Sequence, residues 1–174
     1  MRLFIAINFD DETKDKIVQV QNKLKAYARG SFTDCNNVHL TLVFLGEVLP
    51  SNLETVKRTI AKIRIPKTEI TFNNIGYFKR NGGDIWWVGL NRNDKLISLQ
   101  KQLTSVLINS GFKLEQRPYK PHITIARGVK LHEKIDKNTI MSSSFSTNVD
   151  SISLMLSNRV NEKLTYTELF RLTA

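Results

Sequence analysis

Displaced by 83 positions, the 174-residue chain falls on itself: His39 lies on His122, Thr41 on Thr124, Ile7 on Leu90, Asn8 on Asn91 and Asp11 on Asp94. Identity between the copies is low. The order of elements is nonetheless the same: a strand running into Asn, an acidic or Asn helix cap, an amphipathic helix, then a strand carrying His-x-Thr. Val20 and Leu24 in the first helix fall on Leu103 and Leu107 in the second. A strand-helix-strand unit used twice implies an approximate two-fold axis and two lobes, with both histidines and both threonines facing a central groove. The length suits one bilobal domain over residues 1–174. A monomer is expected, because the repeat supplies within one chain the symmetry that a dimer would otherwise provide.

Hydrophobic period fills in the elements. In RLFIAIN, Leu3, Ile5 and Ile7 alternate as in a strand, and Asp10-Asp11 starts a helix. Its inward face is Ile17, Val20, Leu24 and Tyr27, with Lys and Gln between them solvated and Gly30 as its end. In VHLTLVFLG, Val38, Leu40, Leu42 and Phe44 alternate against His39, Thr41 and Val43, so His39 and Thr41 share a face. Ser51 to Glu54 reads as a capping box before a short helix through Leu53, Val56, Ile60 and Ile63. Residues 68–73 are β-prone, and residues 77–90 read as a hairpin turning at Asn81-Gly82-Gly83 into the strand IWWVGL. Asn93 caps a helix with Leu96, Leu99, Leu103, Val106 and Leu107 inward, stopping at Gly111. PHITIAR is the second His-x-Thr strand. Residues 131–148 read as a polar loop with at most a short helix, and ISLMLS and LTYTELFRL as two paired strands.

Charge and cysteine usage narrow the function. Lys and Arg number 26 against 16 Asp and Glu, a net +10 that favours a polyanionic partner, nucleic acid first. A single cysteine, Cys35, excludes an internal disulfide framework and a thiolate-rich zinc site. The first apolar run reaches Asp10 too soon for a signal peptide, and no stretch approaches the roughly 20 apolar residues of a membrane span. A cytoplasmic protein is expected.

Residues i and i+2 of a strand lie on one face about 6 to 7 Å apart, so each His-x-Thr offers an imidazole and a hydroxyl to the same cavity. Two such pairs suit phosphodiester cleavage. With an unperturbed pKa of about 6.5, one histidine can take a proton from water while the other gives one to the leaving alkoxide. Thr41 and Thr124 can donate hydrogen bonds to nonbridging oxygens, and Arg127, five residues after His122, adds fixed positive charge. Lys120 and Arg117 lie close by in sequence.

Each residue also has a plainer reading. A lone strand histidine is more often a packing or surface residue, Thr follows β-propensity, and Arg127 suits a solvated strand end. Duplication is what raises the histidines above that background. His132 has no matching partner and reads as surface. Of Trp86 and Trp87 at least one belongs in the core, the other being a candidate base-stacking surface, as more weakly is Tyr119. No cofactor is expected. A zinc site would need Cys35 and His132 to converge on the paired histidines from unrelated segments, and there is no His-Glu-x-x-His. An RNA-end binding protein without turnover is the alternative from a different class.

MRLFIAI, VHLTLVFLGEV, GYF followed by IWWVGL, and RPYKPHITIAR together resemble the RNA 2',3'-cyclic phosphodiesterases, also called 2'-5' RNA ligases, of the two-histidine phosphoesterase superfamily. The likeness spans nearly the whole chain. It implies an α+β fold with two antiparallel sheets lining a cleft and helices outside. It further implies metal-independent opening of a terminal 2',3'-cyclic phosphate to a 2'-phosphate, with reversible 2'-5' joining of RNA ends. By the same resemblance His39 is the acid at the departing 3' oxygen and His122 the base that activates water. Thr41, Thr124 and Arg127 hold the phosphate, and an RNA end is the partner. Cleavage of 2'-5' oligonucleotides or of another cyclic phosphodiester would use the same groups.

Overall fold

Both long helices begin on a side chain that accepts from the third residue onward. Asp10 accepts from Thr13 N–H ahead of α1 (Asp11–Lys25), and Asn93 from Leu96 N–H ahead of α3 (Asp94–Asn109). Gly111, at φ 91°, closes α3 as the sequence implies. The computed structural model describes residues 1–174. The remaining helices are α2 (Leu53–Ile60) and α4 (Lys137–Ile140). The strands are β1 (Arg2–Asn8), β2 (Ala28–Phe32), β3 (His39–Glu47), β4 (Thr68–Phe78), β5 (Asp84–Leu90), β6 (His122–Leu131), β7 (Phe145–Val149), β8 (Ser151–Val160) and β9 (Lys163–Thr173).

All strand pairings are antiparallel, in two sheets ordered β3-β1-β8-β9 and β2-β6-β5-β4-β7. This is the expected α+β architecture. The displacement that maps the histidines also maps the start of β4, Thr68, onto the start of β8, Ser151. Yet β4 pairs with β5 and β8 with β1, so each repeat lends its third strand to the sheet of the other. One continuous core lies between sheets and helices, with Ile5, Ile17, Leu24, Leu40, Leu103 and Ile125 fully buried. Burying a side chain of this size contributes about 1.5–3 kcal/mol.

The two His-x-Thr strands carry the same bulge. On β3, Ile5 faces Val43 and the next β1 residue, Ala6, faces Thr41, leaving Leu42 as the extra residue. On β6, Trp86 faces Ala126 and Trp87 faces Thr124, leaving Ile125 extra at the position equivalent to Leu42. A bulge reverses the alternation beyond it. Phe44, expected inward, is therefore 57% exposed, and Arg127 at the equivalent position is turned outward too.

Other expectations are corrected. α1 ends at Lys25, before Tyr27, and Gly30 lies inside β2, a strand too short and polar to show a period. Gln21 is buried, not solvated: it sits four residues after Ile17 and its amide donates to the carbonyls of Thr33 (2.8 Å) and Ile125 (2.7 Å). Residues 50–52 form a 3-10 turn with Pro50 leading it, so no side chain caps α2 and the capping box is not made. The stretch read as a loop holds β7 besides α4, an edge strand whose polar sequence is carried by pairing to β4. β4 runs unbroken to Phe78.

Candidate active site

The bulged strands deliver His39 and Thr41 on β3, and His122 and Thr124 on β6, all half-buried on the faces away from the core. The residues between them, Leu40 and Ile123, are fully buried. Each imidazole is fixed by the carbonyl two residues before it, Asn37 O at 2.7 Å from His39 Nδ1 and Lys120 O at 2.6 Å from His122 Nδ1. A carbonyl can only accept, so Nδ1 carries the proton in both rings and Nε2 is the working nitrogen. Asn37 and Lys120 are themselves equivalent under the repeat. His39 Nε2 lies 2.9 Å from Thr41 Oγ1, placing hydroxyl and imidazole together.

Aromatic rings wall both histidines. Phe4 and Tyr166 have ring centroids 5.0 and 5.1 Å from His39, and Phe78 and Trp87 lie 5.2 and 6.3 Å from His122. Burial holds both imidazoles below their ordinary pKa; the Asn37 and Lys120 carbonyls oppose this, and the Arg127 charge reinforces it. The charge of His122 bears on His39 as well, and that of Arg117 on His122. The Arg127 charge is felt by both rings, and the residue lies on the same β6 face as His122 and Thr124. Both shifts disfavour the charged ring, and the negative charge of a phosphate works against them, favouring protonation of one imidazole.

Supporting contacts tie the lobes together. Tyr119 donates from its hydroxyl to Thr41 O at 2.9 Å, joining the segment before β6 to β3, and burial pushes its phenol pKa up. Thr33 Oγ1 donates to Thr124 O at 3.0 Å, and the Gln21 amide holds the Ile125 carbonyl at the β6 bulge. Trp86 is core at 2% exposure, while Trp87 is half-buried beside His122; both indole N–H groups are buried without a partner. Trp87 fits because Gly76 and Gly89 flank it: a Cβ on either would meet the ring at 2.4 and 2.8 Å. Asn81-Gly82-Gly83 is the expected turn, with Gly83 pressed against the backbone of Gly128. His132 and Cys35 are exposed, and no group of three or more His, Cys, Asp or Glu side chains converges.

Residues 9–161 match the model of the 2'-5' RNA ligase superfamily. The chain belongs to this family. It is 34% identical over 141 residues to an RNA 2',3'-cyclic phosphodiesterase of Thermotoga maritima, covering 79% of this chain and 75% of that protein. To the RNA 2',3'-cyclic phosphodiesterase of Escherichia coli it is 32% identical over 127 residues, 72% and 71% of the two chains. The solved E. coli LigT complexed with 3'-AMP superposes with a TM-score of 0.79 at 28% identity over 99% of this chain and 96% of that one. The two lobes and the equivalent histidines of this superfamily member are readable from the repeat, and the two-sheet α+β architecture from the family resemblance. Phe4, Phe78 and Tyr166 are not, because strand pairing brings them to the site from distant positions, and neither are Thr33, just beyond β2, and Gln21, which reaches β6 from α1. The two anchoring carbonyls had one signal in sequence, the equivalence of Asn37 and Lys120.

Proposed function

We propose that this protein opens 2',3'-cyclic phosphate ends of RNA to 2'-phosphates by general acid-base catalysis without a metal. The observation that carries the reading is the matched carbonyl anchor of two imidazoles on equivalent strands, which leaves Nε2 of each ring as the working nitrogen. His122 Nε2 takes a proton from water as the new P–O bond forms in line with the 3' oxygen. His39 Nε2 gives a proton to that oxygen as the P–O3' bond breaks, leaving a 2'-phosphate and a 3'-hydroxyl. Thr41, Thr124 and Arg127 hold the nonbridging oxygens while charge shifts onto them. Tyr119 positions β3 through the Thr41 carbonyl. A 5'-hydroxyl in place of water forms a 2'-5' bond by the same steps.

The test is incubation with an oligoribonucleotide ending in a 2',3'-cyclic phosphate, in excess EDTA, and identification of the product. A 2'-phosphate formed at an undiminished rate is expected. A 3'-phosphate, or activity lost in EDTA and restored by zinc, overturns the mechanism.

A further inference from the structure

The sheet holding His122 has one strand more than the sheet holding His39. β2 extends it beyond β6, whereas β3 is itself an edge. Along β2, Ala28 is buried and Phe32 packs on the core, so Arg29 and Ser31 occupy the opposite face. Their partners on β6 are Lys130 for Arg29 and Arg127 for Ser31. The bulge at Ile125 turns Arg127 to the side of His122 and Thr124, and Gly128, at φ 61°, lets the strand resume with Val129 buried and Lys130 exposed. One face therefore reads His122, Thr124, Arg127, Lys130, with Arg29 directly across from Lys130.

Like charges directly opposite across a ladder weaken the pairing. Charge on an edge strand guards against unwanted pairing, but a single cation does that; two facing cations are not needed for it. Arg29, Arg127 and Lys130 form no ion pair with a carboxylate. Two successive phosphodiesters passing Arg29 and Lys130 neutralise one cation each, and an extended RNA strand leaving the cleft past Arg127 brings them there.

Resting on the proposed reaction, we infer that Arg29 and Lys130 bind the RNA backbone upstream of the cyclic end, so that the protein selects oligonucleotide ends over cyclic mononucleotides. β2 is then the element that makes one lobe the RNA-strand side of the cleft.

The test compares kcat/KM of the wild-type protein and the double variant Arg29→Gln/Lys130→Gln on two substrates, a pentaribonucleotide ending in a 2',3'-cyclic phosphate and 2',3'-cyclic AMP, over a salt series. The oligonucleotide-to-mononucleotide ratio should fall roughly tenfold at low salt. The slope of log kcat/KM for the oligonucleotide against log salt should flatten by about 1.4, for two lost single-strand phosphate contacts. Equal losses on both substrates, or no loss on either, overturn the inference. If the wild-type protein turns over neither substrate, the proposed reaction fails, and the surface is judged by binding of labelled 3'-phosphorylated oligoribonucleotides of two and five residues. Length-dependent affinity that disappears in the variant supports it, and unchanged length dependence overturns it.

Discussion

The two lobes are alike where they present a histidine and unlike in the residues and strands beyond it. β3 and β6 share the same succession of half-buried, buried and exposed positions through the bulge, and the same carbonyl anchor. Five residues after each histidine they part: the first repeat has Phe44, the second Arg127, and only the second is flanked by an extra strand. Duplication supplies two chemically equivalent imidazoles, and an acid-base pair needs them to be unequal in role. In the proposed reaction Arg127 and β2 break the equivalence, the one holding the phosphate and the other its chain.

The strongest way to break the comparison is to remove one imidazole. His39→Ala and His122→Ala should each lower kcat on a cyclic-phosphate oligonucleotide at least about a hundredfold, measured by product separation. The double variant should lose much less than the product of the two, because the pair acts as a unit. Wild-type turnover in either single variant contradicts the pairing. Next, Arg127→Ala should cost roughly a hundredfold in kcat/KM, in the range of losing a donor to developing charge. The equivalent change in the other lobe, Phe44→Ala, should cost clearly less; equal losses mean that the divergence at this position does not set the phosphate side.

Much of this was legible because the histidines sit in strong alternation and because the repeat fixes their order. What the sequence hid was set by pairing across the sheet. A one-residue bulge cannot be read from VHLTLVFLG, where Phe44 continues the apolar alternation, and it alone decides that Phe44 faces outward. β2 and β7 are five-residue strands whose polar composition shows no period and whose existence depends on β6 and β4. Gln21 reads as solvated by residue type although its spacing from Ile17 places it inward, where it serves the bulge carbonyl. The exchange of β4 and β8 between sheets has no sequence signature beyond the conserved displacement.

Smaller effects sharpen the comparison. Gln21→Leu leaves the Ile125 carbonyl without its amide donor and should cost about 1–3 kcal/mol in urea unfolding. Thr104→Val, at the equivalent position of α3, where the half-buried hydroxyl donates to Gln100 O and accepts from Gln100 Nε2 within the same helix, should change stability by no more than about 0.5 kcal/mol. A reversed order would place the stabilised bulge in the wrong lobe. The smallest effect is on stability against pH. Both imidazoles have folded-state pKa values below the unfolded value of about 6.5, so as pH falls below 6.5 the unfolded chain binds protons first. Stability should decline through that window, and His122→Asn should flatten the decline relative to wild type. Asp10, Asp34 and Glu168, whose pKa values are lowered, contribute stability above about pH 4 that is lost on further acidification.

The division of labour between the lobes is tested most directly by the pH dependence of kcat/KM for the wild-type protein, His39→Ala and His122→Ala on one cyclic-phosphate oligonucleotide. The wild-type profile should be bell-shaped, with a base limb at low pH and an acid limb at high pH. His122→Ala should lose the low-pH limb and His39→Ala the high-pH limb. Loss of the same limb in both variants, or an unaltered bell in either, contradicts the assignment of base to one lobe and acid to the other.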